Sequence, residues 1–304
     1  MPAGTHAAVH DDRNAAIEIY IDGEFYPRAE AKVSVFDSAF LVGDGIWEGI
    51  RLHRGKLAFL DRHLDRLFQG SAATGIDIGM TRQELTDALH STVRRNDMTD
   101  DVHVRLMVSR GLKSTPSQHP SNLISPATVV IIAEHKRADP EVTGRGVSLF
   151  TATIRRPPPD TLDQRLNSHS KLHEVIALIQ ATEAGADEAL MLDPTGAVAT
   201  CNATNFFIVA DGELWTSTGH YSLHGITRGV VLEEARRAGI PAHEAPFSLT
   251  DVYSAQEAFV TGTFGGITPV RSVDGRTVGS GEEGPVTTRL RRLYTEAVER
   301  AVTE

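Results

Sequence analysis

The polar stretch from Arg137 to Arg145, which carries Pro140 and Gly144, constrains this chain more than any other feature, because it interrupts two blocks of element-forming sequence. Before it stand the runs VHVRLMVSRG and ATVVIIAEH, and after it VSLFTATIRR, each of which reads as a strand. A polar, proline-bearing break between such runs has the composition of an interdomain linker. At 304 residues the chain is long enough for two domains, each burying its own core. The expected division is a loose, disordered tail over 1–16, a smaller α/β domain over 17–136, a linker over 137–146 and a larger domain over 147–304.

In the first block, IEIYIDGEFYPR places two β-rich runs around Asp22-Gly23, a pair that tolerates the positive φ of a tight hairpin turn. Gly43, Gly45 and Gly49 then mark close backbone packing between short strands. Helical spacing of Leu64, Leu67, Phe68 and Ala72 predicts a helix over 61–74, and Thr81 with Glu84 forms a capping box for a second over 81–95. In the second block, strands flank the turns at Asp193-Pro194-Thr195-Gly196 and Asp211-Gly212. Leu172, Val175, Ile176 and Ile179 form one apolar stripe, which predicts a helix over 170–184 with that stripe facing the core. Further helices are expected over 228–238 and from Pro285 onward, so the fold class is mixed α/β.

Charge and composition narrow the function. The net charge of -10 is spread along the chain with no Lys/Arg block, which argues against nucleic acid as a partner and for a small-molecule substrate. No apolar run approaches the ~20 residues that span a bilayer, and one cysteine, Cys201, cannot form an internal disulfide. The expected setting is therefore the reducing cytoplasm, away from the membrane. The 13 histidines lack metal-ligand spacing, so no metal is expected, and no Gly-Lys-Ser/Thr follows a glycine-rich turn as triphosphate binding requires.

Two turns and one lysine carry chemical potential. His224-Gly225-Ile226-Thr227 opens a helix, whose free N–H groups and positive dipole end suit a phosphate, although most such helices bind nothing. The turn from Thr261 to Gly266 offers hydroxyls and bare backbone, either as an anion cradle or simply as a tight loop. Lys171 lies ~40° around the expected helix from Val175, at the border of the apolar stripe. It is either a snorkelling amine or a desolvated nucleophile able to form a Schiff base with an aldehyde.

Taken in order, these segments resemble the class IV (fold type IV) aminotransferases from Ile17 to the C-terminal helix. GDGIWEGIR at 43–51 is similar to that family's GxxxFEGIR, and RHLDRL at 62–67 to its HxxRL. HGITRG at 224–229 is similar to PGITR, and VTGTFGGITPV at 260–270 to SGTAAEITPV. The resemblance implies a pyridoxal 5′-phosphate enzyme of two domains, the larger one barrel-like, working as a homodimer whose partner loop completes each site. It places Arg66, Ile226, Thr227 and Thr263 at the cofactor phosphate. Read from helical geometry alone, Arg66 faces away from Leu64 and Phe68 as a solvated charge.

The sequence departs from the family at two positions. Asn167, in LNSHSKLHEV, stands where the family has its Schiff-base lysine, and Lys171 follows one expected helical turn later, a ~6 Å rise that a lysine side chain can bridge. Lys171 is accordingly the expected catalytic amine. Thr200, in AVATCNATNFFIV, stands where the family has a glutamate at the pyridine nitrogen. A hydroxyl supplies no negative charge there, so slower transamination is expected.

For substrate, the candidates are Trp47, Arg51, Arg105, His119 and Phe264. The arginines suit carboxylates, or else form surface ion pairs. Trp47 is either an aromatic pocket wall or a core residue. The resemblance implies transamination between a small amino acid, D- or branched-chain L-, and a 2-oxo acid. The rivals are a lyase of the aminodeoxychorismate lyase kind and a non-catalytic protein that keeps the fold.

Overall fold

The computed structural model describes residues 4–303, so Met1–Ala3 of the expected tail and Glu304 of the larger domain lie outside the described residues. The described residues form two compact units. The N-terminal unit comprises 10–137 and 166–171, and the C-terminal unit comprises the chain up to Val9, 138–165 and 172 onward.

The N-terminal unit contains β1 (Glu18–Ile21), β2 (Glu24–Pro27), α1 (Ser38–Val42), β3 (Gly45–His53), β4 (Lys56–Leu57), α2 (Leu60–Thr74), α3 (Arg82–Arg95), β5 (Val102–Ser109) and β6 (Thr128–His135). Its strands form one antiparallel sheet in the order β2-β1-β6-β5-β3-β4. Asp22 and Gly23, at φ 50° and 100°, close the β1–β2 hairpin as their residue types dictate. Thr81 and Glu84 make the reciprocal capping box that starts α3. Strand alternation gives the sheet two faces. Ile46, Ile50 and Leu52 of β3 with Val104 and Leu106 of β5 meet Leu64 and Leu67 of α2 and Leu85 and Leu89 of α3. Burial of each such side chain stabilises by about 1.5–3 kcal/mol. The opposite face carries Trp47, Arg51, His103 and Arg105, which are only partly buried. The glycine-rich stretch from Gly45 is one nine-residue strand, not several short ones.

The C-terminal unit contains α4 (Pro140–Arg145), β7 (Val147–Thr151), α5 (Pro159–Leu162), α6 (Leu172–Glu183), β8 (Glu188–Leu192), β9 (Val198–Cys201), β10 (Asn205–Ala210), β11 (Glu213–Thr216), α7 (Ile226–Arg237), β12 (Ala242–Glu244), α8 (Leu249–Ser254), β13 (Glu257–Gly262), β14 (Gly266–Val273), β15 (Arg276–Thr277) and α9 (Pro285–Thr303). Its sheet runs β12-β11-β10-β13-β14-β7-β8-β9, with β15 beside β14. A tight turn, in which Cys201 N–H donates to the Thr204 carbonyl, brings end strand β9 beside interior strand β10, so the sheet curls on itself in barrel-like fashion.

Three expectations need correction. Residues 4–16 are not a loose tail: Thr5 is buried, its N–H and hydroxyl both donating to Glu188, and 12–16 form a 3-10 helix. The stretch 138–146 is not a free linker, since α4 buries Val142 in the core of the C-terminal unit. The apolar stripe of α6 faces away from its own sheet. Ala177 and Ala181 are fully buried, whereas Leu172, Val175, Ile176 and Ile179 are 71%, 50%, 38% and 50% exposed. Small alanines let the helix sit close on β7 and β8, so the bulkier face is turned outward.

Candidate active site

In the C-terminal unit the site builds up around the start of α7. Gly225 is its N-cap and makes no side-chain cap hydrogen bond, leaving the first N–H groups of Ile226 and Thr227 without a capping side chain. A Cβ on Gly225 would clash with Asn205 Oδ1, so only glycine allows this close approach. Thr227 is buried, its hydroxyl 3.4 Å from the Tyr294 hydroxyl. Strand β13 packs beside α7 and carries Thr261, whose buried hydroxyl has no hydrogen-bond partner. Thr263 follows in the β13–β14 turn and is partly exposed. Phe264 is 7% exposed and stacks with His6 at 6.2 Å, so it packs on the first residues of the chain more than it lines an open pocket. Thr200, on β9, is buried and donates its hydroxyl to the Thr204 carbonyl at 2.8 Å. That proton is already committed.

In the N-terminal unit, Arg66 is not the solvated charge that helical geometry implied. Its Nε and Nη2 both bond Glu48 at 2.7 Å, and His63 Nδ1 meets the same carboxylate at 2.7 Å. Glu48 is fully buried on the core face of β3. Burial alone would push its carboxyl up, but Arg66 and His63 hold it below the ordinary value. On the sheet's other face, the Arg105 guanidinium lies 4.0 Å above the Trp47 ring, a cation–π pair. Among the described residues Arg105 has no ion-pair partner, and burial draws its pKa down while Glu134 opposes the shift. Arg51 donates to the Lys136 carbonyl at 2.6 Å and lies 3.7 Å from Asp101. His119 stands apart, exposed in the β5–β6 loop, where its Nδ1 accepts from Ser121 N–H.

The segment 166–171 packs on β3. Trp47 N–H donates to the Asn167 carbonyl at 2.9 Å, and Asn167 Nδ2 returns a bond to the Trp47 carbonyl at 2.7 Å. Trp47 Nε1 also donates to the Ser168 carbonyl at 3.2 Å. This segment is not helical, since α6 begins only at Leu172. Asn167 and Lys171 are therefore not one helical turn apart. Instead, Lys171 N–H bonds the His169 carbonyl at 2.9 Å in a three-residue turn, and Lys171 is partly buried. His169, held down by burial, has an Nε2 without a partner. Sequence reading noted Thr261 only as part of a hydroxyl-bearing turn, and missed Glu48, His63, Asn205 and His169. Of these only Glu48 carried a signal, as an acid at a core-facing position of a strand.

Comparison with known proteins gives the class. Residues 45–273 match the family model described as amino-transferase class IV. Branched-chain-amino-acid aminotransferase-like protein 1 of Arabidopsis thaliana is 38% identical over 286 residues, covering 94% of this chain and 51% of that protein. The putative branched-chain-amino-acid aminotransferase of Methanocaldococcus jannaschii is 39% identical over 280 residues, covering 91% of this chain and 95% of that one. Among solved structures, the branched-chain aminotransferase of Thermoproteus uzoniensis with norvaline aligns with a TM-score of 0.84 at 29% identity, covering 94% of this chain and 96% of that one. The branched-chain amino acid aminotransferase of Thermobaculum terrenum, solved in its PLP-form, aligns with a TM-score of 0.83 at 25% identity, covering 95% of each chain. The chain belongs to the class IV aminotransferase family. It spans about half the length of the two Arabidopsis relatives.

Proposed function

We propose that this protein is a pyridoxal-5′-phosphate-dependent aminotransferase that moves an amino group between a small amino acid and a 2-oxo acid. The observation that carries the reading is the α7 turn: uncapped N–H groups at a helix start beside a buried Thr261 hydroxyl with no partner, which fits a phosphate. Ile226, Thr227 and Thr263 would hold that phosphate, with Arg66 as the guanidinium fixed by Glu48. The cofactor supplies an electron-withdrawing ring that spreads negative charge away from the substrate α-carbon.

The remaining roles fall to the chain's own residues. Lys171 would supply the amine that holds the cofactor and would serve as the base and acid at the substrate α-carbon. Asn167, fixed to the Trp47 backbone at the family's usual lysine position, supplies a neutral amide in its place. Thr200, at the family's glutamate position, would offer the ring nitrogen no negative charge. Arg105, stacked on Trp47, would take the substrate carboxylate, with Arg51 as a second cation. Relatives named as branched-chain-amino-acid and D-alanine aminotransferases favour transamination over a lyase or a non-catalytic role.

Borohydride reduction followed by peptide mass spectrometry tests the assignment. A phosphopyridoxyl adduct on the Lys171 peptide, absent in Lys171→Ala, is the expected result; an adduct elsewhere, or none, overturns it. A homodimer is proposed from the exposed apolar face of α6 and from the run 33–42, where Val33, Val35, Phe36, Phe40 and Val42 are all exposed. Cytoplasmic residence is proposed as the setting. Among the described residues no helix is long and apolar enough to cross a membrane.

A further inference from the structure

Asn205 touches several parts of the C-terminal unit at once. Its side chain is 7% exposed. Nδ2 donates to the Leu223 carbonyl at 3.0 Å and reaches the Thr200 hydroxyl at 3.4 Å. Oδ1 fills the space that a Gly225 Cβ would need. Across the sheet, Asn205 of β10 pairs with Thr261 of β13. The Leu223 carbonyl also accepts from Gly225 N–H at 2.9 Å, so one carbonyl takes two donors immediately before α7. A turn held in this way presents its open amides in one geometry before any ligand arrives, whereas a loose turn would have to be ordered on binding.

We propose that Asn205 is a positioning residue for anion binding: its amide clamps the Leu223–Gly225 turn so that the start of α7 is aimed as a phosphate cup, with the neighbouring Thr261 hydroxyl as an additional donor. This rests on the cofactor reading above and adds to it Asn205, a residue that reading does not use. Asn205 need not touch the phosphate. Its effect is confined to the end of the cofactor that carries charge.

The test compares pyridoxal 5′-phosphate with pyridoxal, which has the same ring and no phosphate, by absorbance titration of wild type, Asn205→Ala and Thr261→Val. Amide hydrogen exchange over Ile226–Arg228 is followed in each protein without added cofactor. Asn205→Ala should weaken the phosphorylated form by roughly five- to tenfold, about the worth of one hydrogen bond, leave pyridoxal little changed, and speed exchange at the start of α7. Thr261→Val, close in shape to the native residue, should weaken only the phosphorylated form and leave exchange as it was. Equal losses for both ligands in Asn205→Ala, or unchanged exchange at α7, overturn the positioning role. An unaffected phosphorylated form in Thr261→Val overturns the donor role. Should wild type itself bind both ligands alike, the cofactor reading fails and the proposal falls with it.

Discussion

Glu48 enters the core of the N-terminal unit because alternation along β3 points it there, and an ionised carboxylate in such a place is tolerable only with partners. Arg66 and His63 are those partners. Glu48→Gln should destabilise the protein by about 3 kcal/mol, since it removes the buried carboxylate charge that Arg66 and His63 both bond; urea denaturation measures it. The pH dependence follows in sign. A carboxyl depressed by folding contributes stability that is complete above its ordinary value of 4.5 and is lost as the pH falls through the lowered one. Wild type should therefore lose stability below that ordinary value more steeply than Glu48→Gln does. Thr200 is the second informative residue. On the proposed reading, Thr200→Glu should speed the first half-reaction by roughly tenfold in single-turnover spectra, because it would supply the negative charge the family's glutamate gives; an unchanged rate would remove Thr200 from the site. The Thr200 expectation came from the motif that frames it. The Glu48–Arg66 pair was not legible, because its members are eighteen positions apart and meet only through the packing of α2 on β3.

Helix α3 and helix α6 show where local pattern is sufficient and where it is not. The boundary of α3 is written in the capping residues Thr81 and Glu84, whose bonds depend on neighbours three positions apart. The orientation of α6 depends on which of two apolar faces its sheet accepts, and periodicity reports only the more apolar face. The alanine face packs inward, leaving the branched face for another surface. Ala177→Leu should overpack that contact and cost about 1–3 kcal/mol by thermal melting. Ile179→Asp should leave the melt of the isolated chain nearly unchanged and shift a dimer toward monomer in light scattering. The opposite pattern would show that the branched face is the buried one. The same helix explains the misplaced lysine. Because α6 starts at Leu172, the spacing from Asn167 to Lys171 is set by hydrogen bonds to β3 rather than by helical rise.

At the scale of the molecule, the described chain passes from one unit to the other after Arg137, where the polar stretch begins. The assignment of 166–171 to the N-terminal unit and of the chain up to Val9 to the C-terminal unit left no trace in composition. Both depend on hydrogen bonds between residues far apart in sequence, among them Asn167 with Trp47 and Thr5 with Glu188. A fragment ending at 137 would leave the backbone N–H and carbonyl of Trp47 without the chain that now satisfies them.

Deleting residues 1–9 should lower the melting temperature of the protein by several degrees, read by calorimetry, because Glu188 is 2% exposed and Thr5 furnishes two of its donors while Thr204 furnishes the third. The practical corollary concerns how the protein is handled. A purification handle fused directly ahead of Thr5 competes for space with a carboxylate seal, so handles belong at the opposite terminus, and proteolytic trimming of the leading residues should be monitored as damage rather than dismissed as cleanup.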